Sequence, residues 1–216
     1  MSTALLREML RLELATLIET AASPSVAASR GLALMAPGHG EGVYVLYDAE
    51  GVESALAGMS GERTQTMARV LRDEHVVIGI LAADKLPSCW SVRQVTSVAA
   101  EKGYGPLMYD IALSDGPLAP MRDSVSLSAE RVWRRYYEDR SDVRHVPLKK
   151  CKNHVSVRPW LNFSYELTGP GHDVSALKTR HERVLDTLAE EIVSAEVKSA
   201  LERAGSMYFD SRYTEA

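Results

Sequence analysis

The chain has 216 residues, 45% of them hydrophobic and 25% charged, with 25 Lys and Arg against 29 Asp and Glu for a net charge of −4. This is the length and composition of one globular domain, or one domain with appendages, and it excludes a wholly disordered chain and a uniformly basic nucleic-acid coat. Nine Tyr and three Trp against two Phe favour amphipathic, partly wet aromatic surfaces over a purely oily core.

Residues 3–22 have apolar side chains at 3/4 spacing (Leu6, Leu10, Leu14, Leu17, Ala21), which predicts a helix closed by Pro24. Arg7, Glu8, Arg11, Glu13 and Glu19 interrupt any signal-peptide core, and no apolar stretch reaches the ~18 residues of a membrane span. The stripe is read as core or dimer interface, with no membrane partner. Residues 36–42 read as a loop and 42–48, GVYVLYD, as a strand. Residues 52–59 and 61–72 read as short helices. Strands at 75–81 and 89–95 flank the turn cluster 84–88 and predict a hairpin.

A glycine-bearing turn then leads into a helix whose stripe is Leu107, Met108, Ile111, Ala112 and Leu113. Residues 117–123 read as a loop and 123–128 as a short strand. Ser128 is the expected N-cap of a helix over 129–140. Two or three strands fit between Val143 and Leu167. A long amphipathic helix is expected over roughly 173–204, carrying Leu177, His181, Val184, Leu185, Leu188, Ile192 and Val197. The order predicts a mixed α/β (α+β) domain with a largely antiparallel sheet and one crossover at the glycine turn. The expected organisation is an N-terminal helical extension (1–30), a central domain (31–170) and a C-terminal helical extension (171–216), with the two terminal helices making a homodimer.

Val95 to Tyr109 carries the most chemistry. A strand ends, Gly103 and Gly105 permit a tight turn, and a helix begins. Unpaired N–H groups at such a start attract phosphate, and Lys102 adds a cation. The bland alternative is a plain helix entry. The turn is neither a Walker loop, which needs GK[ST], nor a dinucleotide fingerprint, which needs a third glycine. Cys89 and Cys151 form no CxxC and no Cys/His metal spacing, so no metal is expected, a reducing compartment is read, and Cys89 on a strand reads as a buried, inert thiol.

The hexad Ala100-Glu101-Lys102-Gly103-Tyr104-Gly105 resembles the Gln/Arg-x-x-Gly-x-Gly/Ala signature of the GNAT superfamily, acyl-coenzyme-A-dependent N-acetyltransferases, in which it lies between the fourth strand and the third helix. Both glycines match; Ala100 stands where the family has Gln or Arg. GYGPLMYD looks closest to a GNAT-like group of tailed bacteriophages, which implies a cytoplasmic protein of the infected host. A second stretch, Ser126 to Tyr137, is similar to the family's Asn-x-x-Ala-x-x-Leu-Tyr motif. Ala129 and Val132 match, Ser126 replaces Asn, and Trp133 replaces the Tyr that protonates the leaving thiolate. The resemblance covers roughly 75–140. It implies a GNAT-like sheet flanked by helices, acetyl-CoA or another acyl-CoA as cosubstrate, Val95 and Thr96 facing pantetheine, and Lys102, Gly103, Tyr104 and Gly105 holding the pyrophosphate.

Acyl transfer to an amine needs an uncharged nucleophile, an oxyanion stabiliser and a proton for the thiolate. A splayed strand N–H near Thr96–Val98 suits the oxyanion. Asp123, Glu101, His75 and His154 are the candidate bases. An indole N–H is no useful acid, so Tyr136, one turn beyond Trp133, is the substitute acid, with helix packing as its other reading. Ser126 is a candidate to position a donor or a water, or serves only as a turn residue.

From Arg144 to Tyr165 (144–165) five Lys and Arg and two His meet no acid, and Trp160, Phe163 and Tyr165 interleave with them. That suits a nucleic acid or a coenzyme 3′-phosphate, or else a solvated face over core aromatics. Three functions follow. One is an N-acyltransferase working by direct transfer in a ternary complex on a small-molecule, protein or modified nucleic-acid amine. The second is a catalytically inactive binding or virion-structural module, and the third a nucleic-acid-directed protein.

Overall fold

GVYVLYD alternates two apolar sets, Tyr44 with Leu46 and Val43 with Val45 and Tyr47, and all five are buried. A strand buried on both faces needs a covering layer on each. The computed structural model supplies both layers. It describes residues 23–36, 42–61, 66–67, 69–71, 75–85, 92–121, 125–148, 156–169 and 173–177.

The described elements run α1 (Pro24–Ser29), β1 (Leu32–Met35), β2 (Gly42–Asp48), α2 (Ala49–Leu56), β3 (Val77–Lys85), β4 (Arg93–Ala100), α3 (Gly105–Ser114), β5 (Leu118–Ala119), α4 (Leu127–Glu138), β6 (Val143–Pro147), a 3-10 turn (Pro159–Asn162) and β7 (Phe163–Leu167). One seven-stranded sheet has the order β1-β2-β3-β4-β5-β7-β6. Every neighbouring pair is antiparallel except β4 and β5. The fold is a mixed α/β arrangement with a mostly antiparallel sheet, and its one parallel crossover runs through the glycine turn, as the element order predicts.

The sheet's two faces carry separate cores. Leu34, Tyr44, Leu46 and Leu81 pack with Leu107 and Ile111 of α3 and Trp133 and Tyr136 of α4. Met35, Val43, Val45 and Ile80 pack on the other face with Val52 of α2 and with Met67, Val70 and Leu71, which are also helical. Gly79 on β3 lets α3 lie close to the sheet: a Cβ there would meet Met108 Sδ at 2.8 Å.

Several boundaries differ from expectation. The hairpin strands run further, to Lys85 because Asp84 and Lys85 pair with Gln94 and Arg93 instead of turning, and to Ala100 because Gly79, Ile80 and Leu81 pair with Ala100, Ala99 and Val98. β1 and α1 were not expected; a four-residue strand gives little periodicity to read. Asp48 caps α2 by accepting from the N–H groups of Glu50 and Gly51, so that helix starts three residues before the expected 52. β5 lies inside the expected loop 117–123.

Ser128 is not the cap of α4. Ser126 is, and Leu127 and Ser128 are helical instead of extended. The expected C-terminal helix does not begin at 173: Ser175–Leu177 form a turn, and the Leu34 N–H donates to the Leu177 carbonyl at 2.6 Å, on the outer edge of β1. Ala27, Val174 and Leu177 belong to the α3-side core, so the described parts of both expected extensions pack into the central unit. The expected helices over 3–22 and 178–204 lie outside the described residues, as do Cys89, Asp123, Cys151 and His154.

Candidate functional site

β4 has different neighbours along its length. It pairs with β3 from Arg93 to Ala100, but with β5 only at Arg93 and Gln94. Among the described residues, Val95–Ala100 therefore have a strand partner on the β3 side alone. The β3–β4 register shifts at one place: Ala82 pairs with Ser97 and Ala83 with Val95, leaving Thr96 as the extra residue of a bulge. A bulge breaks the alternation of the ladder and redirects its amide groups at this edge. Thr96 is exposed, with its hydroxyl donating to the Ala82 carbonyl at 3.4 Å. The Val95 side chain is buried in the α3-side core, so what it offers to the open edge is backbone.

The chain leaves β4 through a bond from the Glu101 N–H to the Ile78 carbonyl at 2.7 Å and turns with Tyr104 N–H on the Glu101 carbonyl at 3.0 Å. Gly103 has φ +94°, a conformation L side chains rarely adopt. α3 begins at Gly105 with no side-chain cap. By helix geometry the N–H groups of Gly105 and Leu107 lack an intrahelical acceptor, and Pro106 has no N–H to satisfy. A Cβ on Gly103 or Gly105 would meet nothing within 4 Å. Among the described residues this helix start is thus uncapped, with open space at both glycines and Lys102 exposed beside it. Arg30, at the end of α1, donates to the Tyr104 hydroxyl at 3.0 Å and brings a second cation to the turn. No spacing in the sequence links residues 74 apart, so Arg30 had no signal.

The structure places Val95 and Thr96 in the first half of β4 and Lys102, Gly103, Tyr104 and Gly105 in the turn that follows its far end at Ala100. Glu101 is half-buried in that same turn, whereas His75 is exposed in the turn before β3.

α4 contributes packing. Ser126 Oγ accepts from the Ala129 N–H at 3.2 Å and also meets Ser128 Oγ at 3.1 Å, which makes it a helix cap. Trp133 is 1% exposed, edge-on to Tyr109 and Tyr136 with centroids 5.1 and 5.8 Å away, and beside Tyr165 at 5.3 Å. Tyr136 is 2% exposed, and its hydroxyl donates to Asp110 Oδ1 on α3. Arg140 reaches both Asp110 oxygens at 3.2 Å and grips Asp142 at 2.6 and 2.7 Å. Burial, and then the adjacent Asp110 carboxylate, push the Tyr136 phenol well above its ordinary range. Of the two readings weighed for Tyr136, helix packing is the one its surroundings describe: its proton is already engaged, and it ties α4 to α3.

The basic stretch is less bare than its sequence. Arg144 pairs with Glu166 across β6 and β7, and Arg158 pairs with Glu130 on α4. Arg134 pairs with Glu138 and lies over the Trp160 ring at 5.4 Å. The acids that balance Arg144 and Arg158 come from outside 144–165, far along the chain from their partners, which is why the stretch reads as unpaired. Lys149, Lys150 and Lys152 lie outside the described residues.

Among the described residues no three His, Cys, Asp or Glu side chains converge on a metal-sized site, and no helix is long and apolar enough to cross a membrane. No family model, curated protein or solved structure matches the chain.

Proposed function

We propose that the chain is an acyl-CoA-dependent N-acyltransferase with a GNAT-like fold, acting on an amine with acetyl-CoA or another acyl-CoA. The observation that carries this reading is the end of β4–β5 pairing at Gln94, which among the described residues leaves a strand edge leading into an uncapped, glycine-lined helix start. An extended amide-bearing arm such as pantetheine can pair with such an edge as an extra strand would. The pyrophosphate then falls at the helix start, where free N–H groups and the helix dipole favour negative charge. Lys102 and Arg30 supply cations there. The turn also follows the fourth strand of the sheet, the position the resemblance requires.

The chemistry is a direct displacement. The amine nitrogen attacks the thioester carbonyl and forms a C–N bond. Charge collects on the carbonyl oxygen, the C–S bond breaks, a base takes a proton from the amine nitrogen, and the coenzyme leaves as a thiolate that takes up a proton. The bulge at Thr96 supports the oxyanion role for an N–H in Thr96–Val98, since it frees backbone from the regular ladder next to the open edge. The candidate base closest in sequence is Glu101. Calorimetric titration of the full chain with acetyl-CoA tests the reading; no heat and no thermal shift at millimolar ligand would reject it.

A second reading, a GNAT-like binding or virion-structural module without catalysis, is favoured by α4. Trp133 and Tyr136 are both core residues, and the phenol nominated as acid must leave Asp110 before it can protonate a thiolate. Binding of acetyl-CoA without turnover on any amine would select that reading. The homodimer through the terminal helices remains part of the proposal under either reading.

A further inference from the structure

We propose that Arg93 is a positioning residue that fixes the junction where β4–β5 pairing ends, an inference whose functional consequence rests on the coenzyme reading but whose geometry does not. Arg93 is only 8% exposed. Its Nη1 donates to the Tyr44 hydroxyl on β2 at 2.5 Å, and its Nη2 donates to the carbonyls of Ala112 and Gly116, each at 2.7 Å. Its backbone N–H donates to the Pro117 carbonyl at 3.3 Å, and the residue pairs with Leu118 of β5. One side chain and its own amide thus join β2, the end of α3, the turn after it and β5.

The position of these contacts gives them their consequence. Backbone pairing between β4 and β5 covers two residues, which alone is a slight hold on a strand. Arg93 is the first of the two, and the open edge begins at Val95. α3 is a rod of ten residues, about 15 Å long. Its far end is the glycine turn, so anchoring its last turn to β4 and β2 also sets where Gly105 stands relative to the open edge. The fork of a guanidinium serves three acceptors in different directions, which a lysine ammonium does less well. The carbonyls at a helix end carry partial negative charge and favour a cation there. Gly116, at φ +133°, turns the chain at this point, with its Cβ position 3.7 Å from Arg93 Nη2.

The test compares Arg93→Met and Arg93→Lys in the full chain with Val45→Ala, a core truncation on the opposite face of the sheet. Two measurements are made: amide hydrogen exchange without ligand, and acetyl-CoA affinity by calorimetry. Arg93→Met is expected to speed exchange selectively in the last turn of α3 and at Leu118 and Ala119, and to weaken acetyl-CoA at least about tenfold. Arg93→Lys should fall between it and the wild type. Val45→Ala should speed exchange around β1–β3 and keep wild-type affinity. Uniform loosening of the sheet in the Met variant, or wild-type exchange at α3 and β5, overturns the proposal. If the Met variant does not fold, the Lys variant decides, and wild-type exchange in it overturns the proposal. Should the wild type take up no acetyl-CoA, the coenzyme reading fails by itself, and the exchange pattern still decides whether Arg93 is the clasp.

Discussion

The starts of α3 and α4 solve the same problem in opposite ways. Each helix begins with N–H groups that its own backbone cannot satisfy. At α4 the chain supplies the remedy: Ser126 Oγ takes the Ala129 N–H, and Glu130 stands in the first turn, where its charge suits the helix dipole. At α3 the cap residue is Tyr104, whose side chain makes no capping bond, and the positions flanking it are glycines with open space above them. Elsewhere α3 is the more buried helix, with Leu107 to Leu113 all in the interior. A helix anchored along its length and left open at its start can hold that start rigid for a ligand. A helix capped by its own serine needs nothing further.

The sharpest break between the two comes from Gly105→Glu. The new side chain enters empty space, so the fold should survive with a melting temperature near wild type. Its carboxylate would stand where the pyrophosphate is proposed, and repulsion should weaken acetyl-CoA by at least about a hundredfold, to below detection by calorimetry. Undiminished affinity in a folded variant would detach the turn from phosphate binding.

Tyr136→Phe probes the link between the helices. It removes a donor from a buried carboxylate, and hydrogen bonds to charged groups contribute about 1.5–3 kcal/mol. Denaturant unfolding should show a loss of that order, with acetyl-CoA affinity unchanged. A variant of wild-type stability with turnover reduced tenfold would instead return the phenol to the chemistry. The same residue predicts a pH dependence. Burial raises the phenols of Tyr109 and Tyr165, and burial together with Asp110 raises that of Tyr136. A raised folded value means that the neutral form is favoured in the fold. That stability is fully present below the unfolded phenol value of ~10 and is lost as pH rises through the folded values. Unfolding midpoints followed upward from pH 9 should fall, and less steeply in Tyr136→Phe.

The strand–turn–helix unit at 93–114 was legible because its signals are local: β-branched residues, two glycines and an apolar stripe adjoin in sequence. The mixed sheet with its single crossover followed from element order. What stayed hidden depends on contacts between distant residues. Asp84 and Lys85 look like a turn until Gln94 and Arg93 pair with them. Tyr136 reads as an available acid until Asp110 is found against it, 26 residues earlier in the chain. Arg93 is an ordinary strand cation in sequence, and only the fold brings Tyr44 and the end of α3 to it. The short β1 and β5 draw their stability from neighbours more than from any pattern of their own.

The smallest expected effect falls on Ser126, where a catalytic role and a capping role make different predictions. As a cap, its hydroxyl satisfies one N–H of α4, and its loss in Ser126→Ala should cost about 1 kcal/mol. Ser126→Asp should restore that, since aspartate caps equally well and adds a charge the helix start favours. Neither change should alter acetyl-CoA affinity or turnover, because the bond it makes is internal to the helix. As a group that positions a donor or a water for the reaction, Ser126 would behave otherwise: Ala would cut turnover with little effect on stability, and Asp, with its larger charged group, would not rescue. Urea unfolding and steady-state turnover of the two variants separate the outcomes. Loss of stability in Ala with recovery in Asp makes the start of α4 wholly structural. That outcome leaves the start of α3 as the end of a helix this chain keeps open.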